Sequence, residues 1–233
     1  MCEVMSLEHQ KQVMQKFPCL LAKGLTRADM AHVLTIIIKK YDKTFAEVLS
    51  SVSSPSTGKV KEELCMSLES DLIETQYEIH NGKFYGQMKE HILSNMSSRS
   101  LKERMQECFN AYENNKYYVC ACGLLPLLER VLVDSKTSLK YNWVQLENNL
   151  KTTFKSYFNH DVEKNMEEYT IRIIVRMLAQ VVDFDKSEPE DFNRHWLLHG
   201  RAERIPNKAD CLKLFNIIEL IIDIKLQHGQ YIL

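Results

Sequence analysis

The chain has 233 residues, of which 45% are hydrophobic and 26% are charged, a composition typical of a globular protein that buries a core. Its 30 basic and 31 acidic side chains nearly cancel, which excludes attraction of nucleic acid or a membrane surface to the protein as a whole. Glycine (7) and proline (5) are scarce, so the totals favour helices over folds that are rich in tight turns.

The cysteines and the first residues bear on the cellular location. The seven cysteines are odd in number and include no C-x-x-C pair, so we expect reduced, buried thiols in a reducing compartment. The first residues, "MCEVMSLEHQKQVMQKF", are charged from the third position, unlike a signal peptide. Five polar or charged side chains interrupt the apolar segment 212–226, which is therefore not expected to span a membrane. A soluble, cytoplasmic protein is the resulting expectation.

The first half of the chain contains recognisable helix and turn signals. A helix is predicted from Thr26, with Asp29 as its capping-box partner. Segment 50–58 is rich in Ser, Pro and Gly and is the best candidate for a linker or exposed loop. The segment "KVKEELCMSLESDLIETQYEI" is typical of a helix, and Asn81-Gly82 marks a turn after it.

Helical patterns continue through the middle of the chain. Two helices are predicted on either side of a break at 97–100. The nearly apolar "KYYVCACGLLPLLERVLVDS" predicts a central buried helix, with Pro126 kinking it or absorbed near Gly123. Two more helices are expected in "WVQLENNLKTTFKSYF" and "EEYTIRIIVRMLAQVVDF". The apolar face of the second comprises Ile171, Ile174, Val175, Leu178 and Val182.

The chain continues with a predicted helix that contains an unusual cluster of charged residues. Ser187 is its expected N-cap, Pro189 lies in its first turn, and Gly200 is placed to end it as a C′ glycine.

A last helix is expected from Asn207, which would cap it together with Asp210. No segment alternates like a strand, so the sequence predicts an all-α protein. An N-terminal helical region, 1–95, is expected to pack on a C-terminal helical domain, 96–233.

Metal and cofactor motifs are missing from the sequence. Cys120 and Cys122 would lie about 200° apart on a helix, too far to chelate one ion there, and no second Cys/His pair has zinc-finger spacing. Neither a glycine-rich phosphate loop, nor a G-x-S-x-G elbow, nor an H-E-x-x-H motif occurs. We therefore expect no metal and no cofactor.

Segment 191–205, "DFNRHWLLHGRAERI", holds three arginines and two histidines. Within it, Arg194 and His199 form an R-x4-H pattern. The pattern alone is weak, because a chain of this composition would contain about one match by chance. Arg27 and His32 indeed match it as well.

The residues around Arg194 carry more information than the pattern itself. "NRHWLLHGR", with the upstream "NAYENNKYYVCACGLLPLLERVL", resembles the HEPN family of small helical domains, many of which are RNA-cleaving toxins. The resemblance covers approximately residues 100–233. The family motif favours a polar residue directly after the arginine, and His195 fits, whereas Ala28 after Arg27 does not.

The resemblance implies a HEPN-type helical bundle and a metal-independent endoribonuclease, in which two motifs form one composite cleft across a homodimer. Arg194 and His199 would be catalytic, since histidine can transfer protons near neutrality and arginine can hold two phosphate oxygens. On a continuous helix the two would be about 140° apart. We therefore expect Gly200 to break the helix and let His199 turn back toward Arg194.

Neighbouring polar residues would support this chemistry. Asn193 and His195 would orient the motif or contact phosphate. Arg201, Arg204 and Lys208 would provide a local positive field for RNA binding that the whole-chain charge does not.

The resulting hypothesis is a HEPN-type endoribonuclease in a toxin or phage-defence setting, with RNA as substrate and an inhibitory protein as a further possible partner. A catalytically inactive HEPN-like module that binds RNA, nucleotide or a partner protein is the alternative. A third reading is a helical scaffold in which Arg194 pairs with Glu190 and His199 caps a carbonyl. The apolar last helix would form either the dimer interface or the core.

Overall fold

The computed structural model describes residues 23–41, 59–96, 98–132, 174, 177, 178, 188 and 192–227. Its helices are α1 (Arg27–Tyr41), α2 (Lys59–Ser94), α3 (Arg99–Glu113), α4 (Tyr117–Leu132), α5 (Arg194–Leu198) and α6 (Lys208–Gln227). These described residues include no strand, and the predicted all-α fold is confirmed. In the same part of the chain, no helix is long and apolar enough to cross a membrane.

Helices α1 and α6 begin as their sequences predict. The Asp29 backbone N–H donates to Thr26 Oγ1 at 3.2 Å, and the Thr26 N–H donates to Asp29 Oδ2 at 2.9 Å. The Asp210 N–H donates to Asn207 Oδ1 at 3.0 Å, and the Asn207 N–H donates to Asp210 Oδ2 at 2.9 Å. Each reciprocal pair satisfies backbone donors that the first helical turn would leave without an acceptor.

Helix α2 is interrupted where the sequence predicts a turn. His80, Asn81 and Gly82 have left-handed backbones, with φ of 53°, 56° and 76°. Glycine adopts this conformation freely and asparagine adopts it more readily than most residues, which accounts for the sequence signal. His80 Nε2 also lies 2.6 Å from Asp29 Oδ1, so the interruption is joined to the first turn of α1.

The core is organised around α6. This helix packs against α2 and α4, while α1 packs on α2 and α3 packs on α4. Phe215 of α6 stacks on Phe109 of α3 with ring centroids 4.3 Å apart, and it forms a T-shaped pair with Tyr112 with centroids 5.8 Å apart. Residues from both sides of position 95 share this core. The division into an N-terminal and a C-terminal unit stays a prediction.

Helix α4 is buried on one face only. Cys120, Leu124 and Leu128 are fully buried, but Tyr118 is 46% exposed and Val119 is 58% exposed. The helix is confirmed, and its contacts with α3, α5 and α6 bury one face, whereas Tyr118 and Val119 show that the predicted burial does not extend all the way round.

Close packing of α3 on α4 requires a glycine at one position. A Cβ built on Gly123 would lie 2.7 Å from Cys108 Sγ, closer than non-bonded carbon and sulfur atoms approach. The absence of a side chain at this residue therefore lets the two helices meet.

The described cysteines are free thiols, and Cys108, Cys120 and Cys211 are buried. Burial raises the pKa of the Cys108 thiol to about 12. The predicted burial is confirmed for these three residues, and the predicted reducing compartment stays a prediction.

Several predicted elements lie outside the described residues. They include loop 50–58, the helix in "WVQLENNLKTTFKSYF" and the first 22 residues of the chain. Of the apolar face predicted for "EEYTIRIIVRMLAQVVDF", Ile174 and Leu178 are described, and both are buried.

Helix α6 buries one carboxyl group whose ionised form is unfavourable in the folded state. Glu219 is 5% exposed, and its pKa is raised to about 7 by burial and by the nearby charge of Asp223, against the opposing effect of Lys23. Asp223 itself lies 2.8 Å from both Lys23 Nζ and His91 Nε2. Glu219 therefore keeps its proton up to about pH 7, whereas an exposed glutamate loses it near its ordinary pKa of 4.5.

Stability should fall as the pH rises because of Glu219. Between about pH 4.5 and 7, the folded state keeps a proton at this residue that the unfolded state loses, so the free energy of unfolding decreases through this window. The substitution Glu219→Gln should remove about 2–3 kcal/mol of the difference in unfolding free energy between pH 5 and pH 8. Urea denaturation at the two pH values measures it.

Glu103→Gln is the matched control, because Glu103 is 62% exposed and pairs with Arg99 at the surface. It should leave the pH dependence unchanged. An equal pH dependence in wild type and Glu219→Gln would contradict the assignment to Glu219.

Candidate functional site

Helix α5 carries the R-x4-H motif and begins at an asparagine cap. Asn193 Oδ1 accepts the backbone N–H groups of His195 at 2.9 Å and Trp196 at 3.3 Å. Glu188, Phe192 and Asn193 are not helical. The prediction of a helix capped at Ser187 is therefore wrong. The buried Asn193 amide satisfies the first donors of a shorter helix instead.

The end of α5 is closed by the predicted glycine. Gly200 has φ of 67°, and its N–H donates to the Leu197 carbonyl at 3.1 Å. The Arg201 N–H donates to the Trp196 carbonyl at 2.9 Å. These two bonds form a Schellman motif, which confirms Gly200 as the C′ residue and fixes His199 as the C-cap.

Two buried side chains hold α5 against α4. Trp196 is 8% exposed and Leu197 is 2% exposed. Arg194 and His195 are half-buried, and His199 is exposed. The motif is thus anchored by its apolar residues, while its cationic side chains stay within reach of solvent.

Arg194 is held by a carboxylate of α4. Its Nε lies 2.5 Å from Glu129 Oε1, and its Nη2 donates to Glu129 Oε2 at 3.4 Å. Burial raises the pKa of Glu129, and the positive charge of Arg194 opposes this rise. Glu190, the partner considered from sequence, lies outside the described residues. Glu129 was missed, although a single acidic residue in "LLPLLERVL" is a signal that could have identified it.

The two histidines of the motif are in contact. The rings of His195 and His199 have centroids 4.5 Å apart at an interplanar angle of 66°. Burial lowers the pKa of His195, and the charges of His199 and Arg194 lower it further. We call Arg194, His195 and His199 the motif cluster. The motif cluster thus comprises two imidazole rings that touch each other and the guanidinium of Arg194, which pairs with Glu129.

The three residues predicted to bind RNA lie in different surroundings. Arg204 Nη2 lies 2.9 Å from both carboxylate oxygens of Asp210, and Lys208 pairs with Glu78. Arg201 is exposed. Arg204 and Lys208 thus face carboxylates within the chain, and the role of all three residues in RNA binding stays a prediction.

The described residues contain no group of three or more His, Cys, Asp or Glu side chains arranged to hold a metal ion. The chemistry that the motif cluster offers is proton transfer by imidazole and electrostatic stabilisation of an anion by guanidinium.

Comparisons with protein-family models, with curated proteins and with solved structures found no significant match to this chain.

Loss of the Asn193 cap should destabilise the motif. Asn193→Ala removes the acceptor of two backbone N–H groups, which should lower the unfolding free energy by about 1 kcal/mol. Ser98→Ala is the matched control, since Ser98 occupies the N-cap position of α3 without a capping hydrogen bond from its side chain. Chemical denaturation compares the two variants, and equal losses would contradict the role assigned to Asn193.

Proposed function

We propose that this protein is a metal-independent endoribonuclease of the HEPN type that acts on RNA as a homodimer. The observation that supports this most is the motif cluster, in which the His195 and His199 rings have centroids 4.5 Å apart and Arg194 is the first residue of the same capped helix. These are the groups that cleavage of a phosphodiester by an internal hydroxyl requires.

In the proposed reaction, the ribose 2′-oxygen attacks phosphorus while an imidazole accepts its proton. The bond from phosphorus to the 5′-oxygen breaks, and that oxygen takes a proton from an imidazolium. The products are a 2′,3′-cyclic phosphate and a 5′-hydroxyl. His199 is the proposed proton-transfer group, and Arg194 holds the negative charge of the pentacoordinate phosphorus.

His195 and Asn193 are positioning residues in this proposal. Asn193 fixes the start of the helix through two backbone bonds. The His195 ring packs against His199, and its lowered pKa limits the positive charge beside the catalytic imidazole at neutral pH.

The ion pair between Arg194 and Glu129 gives a reason for two copies. The ion pair orients the guanidinium, but Glu129 also offsets part of the positive charge of Arg194. A substrate phosphate bound by one chain would therefore share this cation with Glu129. A second motif cluster from a partner copy would add the missing positive charge. Exposed Arg201 would then contact the RNA backbone beside the cleft.

The alternative of a catalytically inactive module that binds RNA, nucleotide or a protein is favoured by the same ion pairs. Arg194, Arg204 and Lys208 each face a carboxylate. For an active enzyme, a cytoplasmic toxin or phage-defence role with an inhibitory partner protein fits the need to restrain RNA cleavage.

Cleavage should proceed in EDTA and should depend on His199. We expect wild-type protein to cut RNA with 2′,3′-cyclic phosphate ends and His199→Ala to lose at least about 100-fold in rate, the usual contribution of a general acid or base. Denaturing gels and end analysis measure the reaction. Arg194→Lys should also be impaired, because lysine keeps the charge but loses the planar fork.

His32→Ala is the matched control, since His32 lies in the other R-x4-H pattern of the chain and is exposed on α1. It should cleave at the wild-type rate. RNA binding without cleavage by folded wild-type protein would overturn the nuclease and support the binding module. Neither binding nor cleavage would overturn both.

A further inference from the structure

A cavity of about 560 Å³ lies between α3 and α4. None of the residues that line it belongs to the motif cluster, so it is a separate feature from the site described above. Its volume falls in the range of pockets that hold small organic ligands. Its walls combine an apolar base with charged and hydroxyl groups.

The polar groups of the cavity favour an anion. Arg104 of α3 and Arg130 of α4 line it together, as do the hydroxyls of Ser98 and Ser100. Glu107 is the carboxylate among the lining residues. Two arginines from different helices thus line one space, a combination suited to an anion with several oxygen atoms.

The start of α3 adds to this preference. The Ser98 side chain makes no capping hydrogen bond, and the first turn of α3 holds no acidic residue. No carboxylate of the first turn therefore competes with an anion for this helix N-terminus, where the two serine hydroxyls lie.

The remaining walls are apolar. Leu101 and Leu127 line it as buried side chains, whereas Pro126 and Val119, the latter with 58% of its surface exposed, present apolar surface to solvent. A fully hydrated inorganic ion would leave the apolar surface of Val119 and Pro126 in contact with water. An anionic head on an apolar body would cover these two side chains and remove their surface from water.

We propose that this cavity binds a small phosphate monoester with an apolar ring, the phosphate lying between Arg104 and Arg130 and the ring covering Val119 and Pro126. A free mononucleotide and the 5′-phosphorylated end of an RNA chain both present this chemistry. The proposal is independent of the nuclease activity, because it uses none of Arg194, His195 and His199.

The first experiment titrates the full-length protein with 1-naphthyl phosphate and follows the fluorescence of the naphthyl ring. Inorganic phosphate and 1-naphthol are the head-only and body-only probes, and both should bind at least tenfold more weakly. Arg104→Gln and Arg130→Gln should each weaken binding about tenfold or more, the size of one charge-assisted contact. Both side chains are exposed, so these variants should fold.

Arg99→Gln is the matched control, because Arg99 lies on α3 with 92% of its side chain exposed and does not line the cavity. It should bind the probe as the wild type does. Val119→Trp, which fills the cavity entrance with a bulky ring, should block binding.

Competition then distinguishes the two sources of the phosphate. Displacement of the probe by AMP alone supports a free nucleotide, and displacement by a 5′-phosphorylated RNA hexamer supports a chain end. No binding of 1-naphthyl phosphate at millimolar concentration would overturn the proposal. Binding that is equally tight in Arg104→Gln and Arg99→Gln would overturn it as well. Because His199→Ala should leave probe binding unchanged, failure here is distinguishable from failure of the proposed nuclease.

Discussion

Burial of α6 is the constraint on which the rest of the molecule depends. Its apolar side chains are enclosed by α2 and α4, and even Asn216 and Glu219 are about 5% exposed. A helix enclosed in this way has no alternative position without exposing its apolar surface to water. Arg204 donates hydrogen bonds to both carboxylate oxygens of Asp210 in the first turn of α6, which connects the segment after α5 to the core. The position of the motif therefore follows from the packing of a helix that contributes no residue to it.

The features that could be predicted from sequence are those with local chemistry. The caps at Thr26 and Asn207, the turn at Asn81-Gly82 and the stop at Gly200 each depend on residues a few positions apart. The predicted start of α5 was wrong because the sequence contains two residues that could cap the helix. Ser187 and Asn193 both suit an N-cap, and local rules cannot rank them. Which one caps the helix depends on the burial of Trp196 and Leu197, a property of the assembled core.

The candidate site likewise contains one contact that follows from local sequence and others that depend on the tertiary fold. The contact between His195 and His199 follows from their i, i+4 spacing, since such side chains lie on one face of a helix. The ion pair of Arg194 with Glu129 joins positions 65 residues apart, so it depends on how α5 docks on α4. The sequence shows that Arg204 and Lys208 are positively charged, but it does not show how much of that charge is offset by nearby carboxylates. Their carboxylate partners, Asp210 and Glu78, become visible only in the fold.

A missing methyl group at Gly123 has a wider effect than its size suggests. Since only a hydrogen atom separates the α4 backbone from the Cys108 sulfur, this position sets the interaxial distance between α3 and α4. The same two helices form the walls of the 560 Å³ cavity. The methyl group of an alanine at this position would push α3 and α4 apart. The width of the cavity therefore depends on a residue that has no side chain.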